Sequence, residues 1–71
     1  MNELFNVAVQ EGRELLTLVK QGNMYHAIIH LINKDEYVAC YNYDISNGSW
    51  GQGHYCMTHE GAIKALVDIL Q

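Results

Sequence analysis

Residues 12–23, GRELLTLVKQGN, decide whether this chain opens on a helix or on an additional strand. Leu15, Leu16 and Val19 follow Leu4, Phe5, Ala8 and Gly12 at steps of three and four residues, which draws one apolar stripe along a helix. Asn2 suits the N-cap, Lys20 the carboxyl end of the helix dipole, and Gly22 the left-handed residue just beyond it. This reading predicts a helix from Asn2 to about Gln21. Its weak point is Gly12, which costs about 1 kcal/mol against alanine in a helix interior. A rival reading ends the helix at Gly12, makes Glu14–Lys20 a strand and turns the chain back through Gln21-Gly22-Asn23. Leu15-Leu16 followed by Leu18-Val19 fits the helical stripe better than strict alternation, so the helix is the leading reading.

Beyond this segment the punctuation is clearer. Met24–Ile32 is rich in isoleucine and ends at Asn33-Lys34-Asp35. Glu36–Tyr43 (EYVACYNY) carries the valine and tyrosines that strands favour. Asp44-Ile45-Ser46-Asn47-Gly48-Ser49 is a second turn, and Trp50–Met57 returns as a further strand. Thr58 is placed to cap a last helix, Glu60 sits near the positive end of its dipole, and Ala62, Ile63, Leu66 and Leu70 form its apolar side. The expected fold is α+β: a three-stranded antiparallel sheet, an N-terminal and a C-terminal helix on one face (αβββα), and the other face open.

Seventy-one residues make one domain. A chain of this size buries only about 60% of the surface it exposes when unfolded, which leaves little room for an enclosed active site. Composition, at 49% hydrophobic, is that of a folded chain. Four cations, Arg13, Lys20, Lys34 and Lys64, stand apart from one another against eight acids, for a net charge of −4. That excludes the clustered cations that nucleic-acid binding requires. The acids are too few and too dispersed to imitate a phosphate ladder. The start, MNELFNVAVQ, lacks the basic region and apolar core of a leader, and no apolar run nears the about 18 residues of a membrane span, so a cytoplasmic location is expected. In that compartment Cys40 and Cys56 read as free thiols, although their pairing stays open.

The stretch Gly48–Cys56, GSWGQGHYC, holds the only tryptophan and three of the six glycines. Alternation sends Trp50, Gln52, His54 and Cys56 one way and Gly51, Gly53, Tyr55 and Met57 the other, with the two glycines leaving a strip open to close approach. His54, Cys56 and His59 form H-x-C-x-x-H with Cys40 on the neighbouring strand, a set that could hold zinc. No C-x-x-C pair accompanies it, and a small buried thiol is the simpler account. A Cys56 nucleophile with His54 or His59 as base lacks an orienting third group. The D-x-S-N-G at Asp44 has the wrong spacing for a calcium loop and reads as a turn. His26 and His30 alternate with Ile28, as on a half-exposed strand face.

What remains is surface. Trp50 and the tyrosines exceed what so small a domain needs to bury, and Tyr37, Tyr41 and Tyr43 are expected on one strand face. Tyrosine and tryptophan are enriched where proteins dock. The expected binding surface is Trp50, His54 and Tyr55 at the second hairpin with Tyr41 and Tyr43 alongside, Trp50 acting as the anchor.

Residues 37–66, YVACYNYDISNGSWGQGHYCMTHEGAIKAL, resemble small proteins of Gram-positive phages and mobile elements: a Tyr-Val strand, an Asn-Gly turn, a W-x-x-G-x-Y strand and an Ala-containing helix. Trp50, Gly53, Tyr55 and Ala62 carry the likeness. The element order is also similar to that of a phage anti-CRISPR inhibitor of Cas9, which is analogy of order alone. The resemblance implies a counter-defence or host-takeover role, exercised by occupying a site on a host enzyme without chemistry of its own. The reading is therefore a non-catalytic protein-binding module with a host protein target, no cofactor, no direct nucleic-acid contact and no membrane. The alternatives are a homodimeric structural or regulatory domain and a small zinc-binding domain.

Overall fold

The computed structural model describes residues 7–71. Four strands, β1 (Arg13–Gln21), β2 (Met24–Leu31), β3 (Glu36–Asp44) and β4 (Ser49–Cys56), precede one helix, α1 (His59–Leu70). The strands form a single antiparallel sheet in the order β1-β2-β3-β4, so each pairs only with its neighbours in the chain. The domain is thus α+β, but the expected three-stranded sheet with an N-terminal and a C-terminal helix on one face is overturned.

The proposed helix from Asn2 to Gln21 fails over Arg13–Gln21, which is β1; Asn2, Leu4 and Phe5 lie outside the described residues. Gly12 has φ +82°, a conformation no helix accepts. Gly22, at φ +62°, is the first of two residues joining Gln21 to its partner Met24, where a type II′ hairpin turn needs positive φ. The apolar steps have a physical cause in β1. Leu15 pairs with Ile29 and Thr17 with Ile28, so Leu16 is one residue more than β2 can match. That bulge turns the two-residue period of a strand into a three-residue step. Leu15 and Leu18 therefore pack in the same cluster, a spacing that in the bare sequence mimics a helix.

Both faces of the sheet are covered. On one, Ile28 and Ala39 pack beneath Ala62 and Leu66 of α1, with Val19, Ala65, Ile69 and Leu70 around them. On the other, Ala27, Ile29, Val38, Cys40 and Tyr43 form a second cluster closed by Val7, Leu15, Leu18, Ile45 and Trp50. This is the face expected to stay open. Residues 7–10 reach the β3–β4 turn there: the Ala8 N–H donates to the Ile45 carbonyl at 2.8 Å, and the Tyr43 hydroxyl donates to the Ala8 carbonyl at 2.6 Å. Burying an Ile or Val side chain fully contributes about 1.5–3 kcal/mol, so the paired residues Ile29 and Val38 anchor this second core.

α1 begins as its sequence dictates. Thr58 is extended, and its hydroxyl accepts from the Gly61 N–H at 3.0 Å. Its inner side is Ala62, Ala65, Leu66, Ile69 and Leu70. Ile63, assigned to that side from sequence, is 44% exposed instead.

Candidate functional site

Asn42 governs where the aromatic residues go. It lies inside β3 at φ +60°, a left-handed conformation that, besides glycine, asparagine and aspartate adopt most readily. Its N–H donates to His26 Nδ1 at 3.2 Å. Because Nδ1 accepts, the ring hydrogen is on Nε2, 3.0 Å from Gln21 Oε1. The Gln21 amide then donates to the Leu70 carbonyl at 2.9 Å, and the chain of bonds ties the end of β1 to the end of α1. His26, read from sequence as half exposed, is fully buried.

The left-handed residue reverses the alternation of β3. Tyr41 stacks on His26 on the helix side, with ring centres 5.0 Å apart. Tyr43, two residues later, belongs to the opposite cluster and is 2% exposed. Tyr37, Tyr41 and Tyr43 therefore do not share a face. Trp50 pairs with Tyr43 across the strands and stacks on it at 6.3 Å. Trp50 thus lies on the side away from α1, whereas His54 lines a hollow beneath it, so these two do not point the same way as expected.

The five expected docking residues consequently divide. Tyr43, Trp50 and Tyr55 lie on the face away from α1; Tyr41 and His54 lie on the face beneath it. Gly53 explains how the first group closes up. A Cβ there would stand 2.8 Å from Val38 Cγ1, 2.9 Å from Trp50 Nε1 and 3.3 Å from the Tyr55 ring. The glycine strip is filled by these side chains.

Between Trp50 and Tyr55 opens a hollow of about 240 Å³, bounded further by Arg13, Leu31, Asn33 and Lys34. Arg13 lies over the Trp50 ring, 4.5 Å from its centre, and its guanidinium donates to the Gly48 carbonyl at 3.4 Å. Trp50 is therefore a wall of the hollow, held by Arg13 and by Tyr43. Tyr55 is 56% exposed at its lip. Arg13, Lys34 and the edge of this hollow were not singled out from sequence, because isolated cations far apart in the chain gave no sign that β1 and the β2–β3 turn meet here.

The thiols are separated by the sheet. Cys40 belongs to the cluster away from α1 and Cys56 to the one beneath it, and both are free. Burial pushes the Cys40 thiol up to about 12, which keeps it protonated and inert. Cys56 Sγ donates to the His54 carbonyl at 3.7 Å, and the His59 ring stacks on Tyr37 at 5.6 Å. Among the described residues no three His, Cys, Asp or Glu side chains are placed to hold a metal ion. The D-x-S-N-G segment is a turn: Asp44 Oδ1 accepts from the Ser46 N–H at 2.9 Å and Asn47 Oδ1 from the Ser49 N–H at 2.9 Å. The bonds from Ser46 hold the Asp44 carboxyl below its ordinary range.

A last cluster lies near β1. The His30 ring is flanked by Asp35 Oδ1, 3.0 Å from Nε2, and Glu14 Oε1, 3.4 Å from Nδ1. It stacks on Tyr37 at 4.5 Å. Its pKa is raised above the ordinary 6.5, chiefly by the hydrogen bond to Asp35. Among the described residues no helix is long and apolar enough to cross a membrane. Comparisons with protein-family models, with curated proteins and with solved structures find no match.

Proposed function

We propose that this chain is a non-catalytic protein-binding module that acts in the cytoplasm by docking on a host protein target. The observation that carries the reading is the hollow beside Tyr55: an exposed aromatic at the lip, Trp50 as a rigid wall, and two cations, Arg13 and Lys34, at the rim. A concave site walled by two aromatic rings and edged with polar side chains suits one protruding side chain of a partner, and rigid aromatics supply contact area at small entropic cost. Glu11 lines the same hollow, so the rim carries both signs of charge and suits a polar or aromatic residue of the partner. Tyr55 makes contact and hydrogen-bonds; Trp50 shapes the pocket. An inhibitory role for a phage or mobile element rests on the resemblance of residues 37–66.

Immobilised protein exposed to bacterial lysate tests the reading, with wild type beside Tyr55→Ala and Lys34→Glu. Both are surface changes, and circular dichroism checks their folding. One stoichiometric partner, captured by wild type and lost with Tyr55→Ala, is the expected result. The purified partner should then lose activity on stoichiometric addition of the protein. Capture indifferent to both substitutions, or no capture at all, overturns the reading.

A further inference from the structure

Among the described residues β4 ends the sheet, and from Ser49 to Cys56 it contains no charged residue and no proline. Alternate N–H and C=O groups of an edge strand point outward without a partner, and proteins ordinarily blunt such an edge with charge, proline or a bulge. None of these devices is present in β4, and residues 51–55 are all exposed. We infer that a second copy of this chain pairs with β4 in antiparallel sense about a two-fold axis, joining two four-stranded sheets into one of eight strands.

The pattern of β4 is complementary to itself. An axis through Gly53 sets Gly53 against its own copy, Gln52 against His54 and Gly51 against Tyr55. Tyr55, on the face away from α1, then meets a position with no side chain, and two polar side chains meet beneath α1. The overhanging flank of the helix repeats the complementarity. Gly61, Lys64, Ala65 and Asp68 line the hollow above His54, and Ile69 reaches Gln52 and Gly53. Gly61 stands beside Cys56, so α1 returns along β4, and the level of the axis, three strand residues or about 10 Å from Cys56, falls near residues 67–68. The two-fold operation therefore brings Lys64 within about one helical turn of Asp68 of the other copy, twice. Because α1 lies chiefly over β3, the two helices stand three strand spacings apart, about 14 Å. A lysine and an aspartate side chain span that gap, and the same patch serves both copies, as an isologous interface requires.

This inference is independent of the docking reading, since it is tested on pure protein. Mass is measured by sedimentation equilibrium from about 1 μM to about 1 mM for wild type and three variants. Gly51→Lys is one; a Cβ at Gly51 meets nothing closer than 3.7 Å, so the fold tolerates it. The others are Lys64→Glu and the exchange Lys64→Glu with Asp68→Lys. The expected result is a wild-type dimer, weakened at least about tenfold by Gly51→Lys and by Lys64→Glu, and recovered in the exchanged pair. A wild type that stays monomeric throughout leaves β4 to a strand of some other protein and overturns the inference. So does a dimer indifferent to Gly51→Lys, or one that the charge exchange does not recover.

Discussion

The two edges of the sheet are built on opposite plans. β1 carries Arg13, Glu14 and Lys20, is interrupted by the bulge at Leu16, and is tied at its end to α1 through Gln21. β4 carries no charge, contains two glycines, and runs in register along β3. One edge refuses a further strand and the other invites one. The difference teaches that the two edges of a small sheet can be made unlike by sequence alone.

The comparison can be broken first at β4. Gly53→Val places methyl groups where Val38 and Trp50 already stand, and the fold should lose about 3 kcal/mol in urea unfolding. A loss under about 1 kcal/mol would mean that the Trp50–Tyr55 wall is not packed as described. The tie on β1 comes next. His26→Leu leaves the Asn42 N–H and Gln21 Oε1 without their bonds, at a cost of about 2 kcal/mol. Amide exchange should quicken at Asn42 and at the last turn of α1, and unchanged exchange there would refute the coupling.

A smaller effect sharpens the contrast. Deleting Leu16 restores strict alternation, with Leu15 and Leu18 still on their own face, so stability should shift by no more than about 1 kcal/mol. Light scattering should then show self-association that survives Gly51→Lys, because the second edge has lost its bulge. No added association would show that the charges alone defend β1. The smallest effect is the pH dependence at His30. Its proton is held more tightly in the folded state, so this cluster stabilises fully below about pH 6.5. The contribution disappears as pH rises through the raised folded value. His30→Gln should abolish that slope in thermal unfolding between pH 5 and 8, and an unaltered slope would point to another group.

Much of the fold was legible: β2, β3, β4, α1 and the turns between them follow from β-branched runs, Asn-Gly punctuation and the Thr58 cap. Two single residues hid the rest. Leu16 shifts the period of β1 from two to three, so periodicity reports a helix where a bulged strand exists. Asn42 reverses a strand face, so alternation misassigns every aromatic on its far side, Tyr43 and Trp50 above all. The candidate surface was therefore named in part from sequence, through Trp50 and Tyr55. Arg13 and Lys34 join it only through tertiary contact.

The sequential order of the strands has a consequence in time. Every strand pair is a hairpin whose partners are neighbours in the chain, so loops that must close during folding are short. The chain contains no proline, which removes the isomerisation that delays many small domains by tens of seconds. The hairpins can zip one after another, with α1 settling on the finished sheet and residues 7–10 closing the opposite face against the distant β3–β4 turn. Such a chain should regain its structure in one fast step after dilution from denaturant. The uncharged outer edge of β4 would then still be exposed to neighbours once the sheet is complete.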